Sequence, residues 1–176
     1  MDTIELSSKL IKFKSITPDN SGAIDYIQKV LKKKKFNCHI LESGTNKIKN
    51  LYASFKGGEG PNLCFAGHTD VVPPGDLKKW KTNPFEPHIT NGRLYGRGAS
   101  DMKTAISSFM VATEIFLEEN KFAFDGNFQI SIIAIIIAAL IDGLDGRIAR
   151  LIKLSLIHIS EPTRPLYSSY AVFCLK

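Results

Sequence analysis

Two short segments of the sequence concentrate side chains that can bind metal ions. Residues 67–76 contain His68 and, two positions later, Asp70. Neutral imidazole is a common zinc ligand, and a nearby carboxylate can accept the other ring N–H and orient the ring. Residues 92–103 carry Asp101 where a glycine-rich loop enters a predicted helix. One carboxylate can bind a metal with each oxygen, as in two-metal hydrolytic sites.

The same residues also have purely structural interpretations. A lone His-x-Asp is usually a capped loop or a surface pair. The Gly-Arg-Gly of residues 96–98 is also compatible with a phosphate-binding turn, although the dinucleotide-binding spacing is absent. Spacing alone therefore leaves a metal site and a structural loop both open.

Hydrophobic periodicity predicts the elements that position these two segments. Helices are predicted over about 4–13, 22–35 and 102–120, and strands over 36–41, 51–55, 62–66 and about 127–133. The alternation of strands and helices predicts an α/β fold with a mainly parallel sheet flanked by helices. Ligands of such sheets bind at the carboxyl ends of the strands, and His68 follows one of them.

Composition excludes several classes of protein. Of the 176 residues, 44% are hydrophobic and 23% are charged, which excludes a wholly disordered chain. The three cysteines, Cys38, Cys64 and Cys174, form no CxxC pair, so neither a disulfide framework nor a cysteine zinc site is predicted and a cytoplasmic location is expected. The net charge is +6, but the lysine run at 32–35 has no interleaved aromatic residues, so no nucleic-acid partner is expected.

Residues 1–133 resemble the amino-terminal part of the M20 family of dinuclear zinc peptidases and deacylases. The resemblance is carried by Phe-Ala-Gly-His-Thr-Asp-Val-Val-Pro-Pro-Gly-Asp at 65–76, Trp80, Pro-Phe-Glu-Pro at 84–87, and residues 92–103. It implies a truncated zinc-peptidase-like catalytic domain that hydrolyses a linear amide in a small-molecule substrate. Two zinc ions are implied, with cobalt as an alternative. The family's homodimer is not expected to be retained, and no membrane contact is expected for residues 1–133.

Carried over to this sequence, the resemblance gives three residues a role. His68 becomes a ligand of one zinc ion, Asp101 the carboxylate that bridges both ions, and Asp70 the catalytic residue that orients His68. In the family, the strand after the metal-site helix leads into two adjacent glutamates, a general base and a metal ligand. Here an Ile/Ala run starts at Ala134, and no glutamate occurs between positions 119 and 161. We therefore expect this chain to be catalytically inactive.

The sequence changes character after Ile133. Residues 134–153 are predicted to form a foreign apolar helix. They carry Asp142 and Asp145 in a DxxDGxxAR pattern, which resembles the first half of the CDP-alcohol phosphatidyltransferase signature. Residues 154–176 resemble a translated sequencing adapter and are expected to be an irregular, artefactual tail. Three alternatives stay open for the chain: a fragment of a membrane phosphatidyltransferase, another deacylase of the M20 family, and a non-enzymatic zinc-binding remnant.

Overall fold

A computed structural model describes residues 1–44, 47–133 and 172–175. The predicted apolar helix at 134–153, with its pair Asp142 and Asp145, lies outside the described residues. So does most of the predicted tail at 154–176. The predicted domain boundary after Ile133 therefore stays a prediction.

Three helices form where the sequence places apolar residues at helical spacing. They are α1 (Thr3–Lys12), α2 (Ala23–Lys33) and α3 (Thr104–Glu119). The side chain of Asp2 caps α1 by accepting a hydrogen bond of 2.8 Å from the backbone N–H of Glu5, which satisfies one of the free donors at the helix start. The helices bury their apolar faces in one core shared with the sheet.

Five strands form a single sheet. They are β1 (Asn37–Ser43), β2 (Ile48–Lys56), β3 (Asn62–Gly67), β6 (Asn127–Ile132) and β7 (Val172–Leu175). The order across the sheet is β1-β2-β6-β3-β7, so β6 lies between two strands that are consecutive in sequence. A separate hairpin of β4 (His88–Thr90) and β5 (Arg93–Tyr95) lies within the long loop at 67–98, where no strand was predicted.

The prediction of a mainly parallel sheet is wrong, because the sheet is mixed. Among the described strands of this sheet only β3 and β6 pair in parallel, and the other three pairs of the sheet are antiparallel. β1 ends at Ser43 and β2 begins at Ile48, and so short a connection permits only antiparallel pairing, whereas α3 supplies the crossover that a parallel pair needs. Strand and helix alternation therefore predicted the one parallel pair and missed the direction of the others.

The prediction of an irregular tail is wrong for residues 172–175. These residues form β7, which pairs antiparallel with β3, with Leu175 opposite Asn62 and Val172 opposite Phe65. The segment reads Val-Phe-Cys-Leu, a composition that favours extended backbone. Pairing satisfies hydrogen-bonding groups along an edge of β3 that would otherwise be unpaired among the described strands.

The core forms where buried side chains alternate along neighbouring strands. The buried residues of β2 stand opposite those of β6, in the pairs Leu51 and Ile132, Ala53 and Ile130, and Phe55 and Phe128. Because side chains of a strand alternate between faces, this register brings all six to the same side of the sheet. The helices cover this side with Leu6, Leu10, Ile24, Ile27, Ile106 and Leu117. In the part of the chain that the structure describes, no helix combines the length and apolarity needed to cross a membrane.

Candidate metal centre

His68 is presented by the end of β3. The strand ends at Gly67, and its carbonyl accepts a hydrogen bond of 2.9 Å from Ile133, which fixes the strand end against the residue that follows β6. The imidazole is 16% exposed, and its Nδ1 lies 3.0 Å from the main-chain carbonyl oxygen of Asp70. A carbonyl oxygen can only accept, so Nδ1 donates and the neutral ring carries its lone pair on Nε2. That lone pair is the one available to bind a metal ion.

Asp101 reaches the same place from the turn that precedes α3. This turn, Ala99–Lys103, is irregular, because Asp101 has φ −134° and ψ 98° inside it. The turn follows Gly98, whose φ is +82°. A Cβ at Gly98 would lie only 2.8 Å from Cγ1 of Val71, so both conformation and space require glycine. The loop is therefore tightly packed where it turns Asp101 toward His68.

The two side chains face each other across a short gap. Nε2 of His68 lies 3.3 Å from Oδ1 of Asp101. If Nε2 is unprotonated, both atoms are acceptors, and a proton or a cation between them is needed to make the approach favourable. Two ligands of a tetrahedral ion with bonds of about 2.1 Å lie about 3.4 Å apart, so the observed separation fits two ligands of one metal ion. Within the described residues, no cluster of three or more His, Cys, Asp or Glu side chains is placed to hold a metal.

A cavity of about 210 Å³ opens at this pair. Its lining includes His68, Asp101, Val72, Arg97 and Ser100. Asp101 is 65% exposed, so its carboxylate is accessible from solvent. The cavity is an open cleft in which a small polar molecule can approach both side chains.

Asp70 adjoins His68, as the sequence predicted, but with a different contact. Its carboxylate Oδ1 lies 3.6 Å from Nδ1 of His68, which is beyond hydrogen-bonding distance. The nearer acceptor is its own main-chain carbonyl oxygen, at 3.0 Å. The Asp70 carboxylate instead accepts a hydrogen bond of 2.7 Å from the hydroxyl of Thr17. Asp70 thus contacts the candidate ligand through its backbone.

Two residues near the site were not predicted to contribute to it. Lys103 is fully buried, and its ammonium donates a hydrogen bond of 2.8 Å to the carbonyl of Phe13. Burial lowers the pKa of Lys103 to about 8, and the negative charge of Asp70 offsets part of that effect. Thr17 lies in the loop between α1 and α2. Lys103 belongs to the motif at 92–103, which could have drawn attention to it. Thr17 belongs to a segment that the sequence marks only as a turn, so no signal pointed to it.

The fold is a mixed α/β structure in which His68 and Asp101 form a candidate metal site at the end of an inner strand of the sheet. The model of peptidase family M20/M25/M40 matches residues 64–170, which is more than half of the chain. The chain therefore belongs to this family. The matched range extends beyond residue 133 into the part that the structure does not describe.

Individual relatives agree with this assignment. The chain is 54% identical over 127 residues to succinyl-diaminopimelate desuccinylase of Wolbachia pipientis wMel; the match covers 72% of this chain and 31% of that protein. The chain thus spans about a third of the length of this curated relative.

Solved structures share the fold. An M20 family metallo-carboxypeptidase from Sulfolobus solfataricus superposes with a TM-score of 0.64 at 23% identity, over 77% of this chain and 31% of that one. A dinuclear metal binding peptidase of the M20 family from Bacillus subtilis superposes with a TM-score of 0.50 at 14% identity, over 74% and 34%.

Proposed function

We propose that residues 1–133 are the amino-terminal, metal-binding part of a zinc-dependent amide hydrolase that acts as a succinyl-diaminopimelate desuccinylase. The substrate would be N-succinyl-LL-2,6-diaminopimelate, and the products succinate and LL-2,6-diaminopimelate, which serve lysine and cell-wall biosynthesis. The observation that carries this proposal is the 54% identity to the Wolbachia desuccinylase over 127 residues. The proposal includes a cytoplasmic location.

In this proposal His68 and Asp101 hold zinc. The 3.3 Å separation between Nε2 and Oδ1 supports the assignment, because it suits two ligands of a tetrahedral ion. A bound divalent ion would supply Lewis-acid polarisation of the scissile amide carbonyl, and cobalt can replace zinc in this role. His68 would keep its Nε2 lone pair available because its Nδ1–H donates a hydrogen bond to the main-chain carbonyl oxygen of Asp70. Asp101, being exposed, would meet the metal at the mouth of the cavity.

We expect the 176-residue chain by itself to hydrolyse no amide. The residues after Ile132 provide an Ile/Ala run where the family has adjacent glutamates, and general acid–base help is worth roughly two to four orders of magnitude. The measurement is release of succinate from the substrate with added zinc or cobalt. Turnover above the metal-only background would contradict this expectation.

A graft tests the proposed activity directly. Residues 1–133 of this chain are joined to the remaining part of the Wolbachia desuccinylase, and the hybrid is assayed for succinate release. We expect activity, and we expect a hybrid with His68→Ala to lose it. A parallel hybrid built on an acetylornithine deacetylase tests the alternative that the chain belongs to another member of the family. Activity only in the deacetylase hybrid would overturn the assignment to desuccinylation.

The segment after residue 133 is the subject of a separate proposal. We propose that residues 134–153 derive from a membrane CDP-alcohol phosphatidyltransferase and residues 154–176 from adapter sequence. The spacing of Asp142 and Asp145 supports the first origin, and the amino-acid sequence of the tail supports the second. The test is resequencing of the source DNA across the codons for residues 130–155. Independent reads that reproduce the junction would contradict the proposal, and a reading frame with a glutamate pair after residue 133 would support it.

A further inference from the structure

The loop that carries His68 and Asp70 is paired along its backbone with a distant segment, residues 15–17. Val71 donates its N–H to the carbonyl of Ser15 at 2.8 Å, and Thr17 donates its N–H to the carbonyl of Val71 at 3.2 Å. The fully buried Ser15 adds a third bond, because its hydroxyl donates to the carbonyl of Thr69 at 2.6 Å. Buried main-chain groups of this loop thus find their partners in the segment that follows α1.

This pairing sets the direction of the carbonyl that holds His68. The N–H of Val71 and the carbonyl of Asp70 belong to one peptide group, and in a trans peptide they point in opposite directions. Because the N–H is bonded to Ser15, the carbonyl must point away from Ser15, and there it lies 3.0 Å from Nδ1 of His68. The orientation of the ring is therefore fixed through the backbone of Asp70.

Thr17 binds the side-chain carboxylate of Asp70, the second group of this residue that can accept a hydrogen bond. Its hydroxyl donates to Oδ2 at 2.7 Å, within the range of a strong hydrogen bond to a charged acceptor. The side chain of Asp70 is only 7% exposed, so its carboxylate is not held in place by bulk water. While Oδ2 is bonded to Thr17, Oδ1 stays 3.6 Å from the imidazole and does not replace the carbonyl as its partner.

We propose that Thr17 is a positioning residue of the metal centre: by holding the Asp70 carboxylate, it keeps the Asp70 carbonyl as the acceptor for Nδ1 of His68 and so keeps Nε2 directed at Asp101. The relevance to metal binding rests on the proposed function. The contacts of the His68 ring exist in the metal-free chain and do not depend on the proposed function.

The first measurement is nitrogen NMR of the histidine rings in the metal-free 176-residue chain. The signals of His68 are identified by their loss in His68→Gln. We expect the unchanged chain to show a protonated Nδ1, and we expect Thr17→Val to shift the signals of both ring nitrogens because the Asp70 carboxylate loses its hydrogen bond from Thr17. Thr17→Ser retains the hydroxyl and should restore the original signals. The matched control is Thr113→Val, which removes the hydroxyl of a buried threonine on α3 and should leave the ring signals unchanged.

The second measurement is zinc binding by titration calorimetry on the same four chains. We expect Thr17→Val to weaken zinc binding about 10- to 100-fold, the usual effect of removing a group that orients a metal ligand. Thr17→Ser and Thr113→Val should bind as the unchanged chain does. Unaltered His68 signals and zinc affinity in Thr17→Val would overturn the inference, as would a Thr17→Ser chain that loses as much as Thr17→Val. If the unchanged chain binds no zinc, the proposed assignment of His68 and Asp101 as zinc ligands in this chain fails, whereas the ring signals still decide the role of Thr17.

Discussion

His68 and Asp101 approach each other to 3.3 Å from opposite kinds of surroundings. His68 is mostly buried at a strand end, and its ring is held by a carbonyl that is itself fixed by main-chain pairing. Asp101 is 65% exposed on an irregular turn, although the glycine before that turn is packed tightly. If both residues bind a metal as proposed, His68 is oriented before the ion arrives, while Asp101 is free to adjust to it.

The largest expected effect comes from removing each ligand in turn. His68→Ala should abolish zinc binding, because no other imidazole lines the described cavity. Asp101→Asn should weaken binding by only about tenfold, since the amide keeps one oxygen that can ligate. Titration calorimetry measures both. Equal losses of zinc affinity in the two variants would mean that His68 and Asp101 are equally preorganised.

The next largest effect is expected at Gly98, which precedes the turn that carries Asp101 and packs against Val71. Gly98→Ala places a methyl group 2.8 Å from Val71 at a φ of +82°, so strain and overpacking together should cost about 2–4 kcal/mol of unfolding free energy. Gly75→Ala is the matched control, with a φ of +74° but no atom within 4 Å of the new Cβ, and should cost only about 1 kcal/mol. Urea unfolding distinguishes them. If both variants lose the same stability, the tight packing at Gly98 has no energetic weight.

The buried Lys103 should make the unfolding free energy depend on pH. Its folded pKa of about 8 lies below the ordinary 10.5, so above pH 8 the unfolded chain binds more protons at this residue than the folded chain does. The burial penalty is fully present below pH 8 and is relieved as the pH rises toward 10.5. Between pH 7 and pH 9.5 the unfolding free energy should therefore rise by about 2 kcal/mol more in the unchanged chain than in Lys103→Met.

Urea unfolding of both metal-free chains at the two pH values checks this difference. Because the thiols of Cys38 and Cys64 are present in both chains, their titration cancels in the comparison. Parallel pH profiles would mean that Lys103 is solvated well enough to keep an ordinary pKa.

The smallest effect is expected from an exposed ion pair outside the site. Lys56 and Glu59 lie 3.2 Å apart, with side chains 73% and 94% exposed. Lys56→Met should change the unfolding free energy by less than about 0.5 kcal/mol, because such pairs are well solvated and screened. This variant gives the baseline for the unfolding free energies of Gly98→Ala and Lys103→Met. A loss above 1 kcal/mol in urea unfolding would contradict it.

Local sequence patterns predicted the three helices and the strands β1, β2, β3 and β6, and they singled out His68 and Asp101 as candidate ligands, because such patterns depend on neighbours in sequence. The alternation Leu51, Ala53, Phe55 marks β2, and His68 and Asp101 lie in motifs at the ends of predicted elements. Strand order was not predictable in this way, since the insertion of β6 between β2 and β3 depends on contacts distant in sequence. The bond from Thr17 to Asp70 joins residues 53 positions apart, and no periodicity reports such a bond.

The central place of β6 also constrains how the chain acquires its structure during synthesis. Both neighbours of β6 are translated well before it, since β2 ends at Lys56 and β3 at Gly67. Neither strand therefore has its inner partner until Asn127–Ile132 has left the ribosome. Until then Leu51, Ala53 and Phe55 belong to a nascent hairpin with an apolar face and an open edge. Open edges and apolar faces on incomplete chains promote association, so the interval before β6 emerges is when chaperone binding is most valuable.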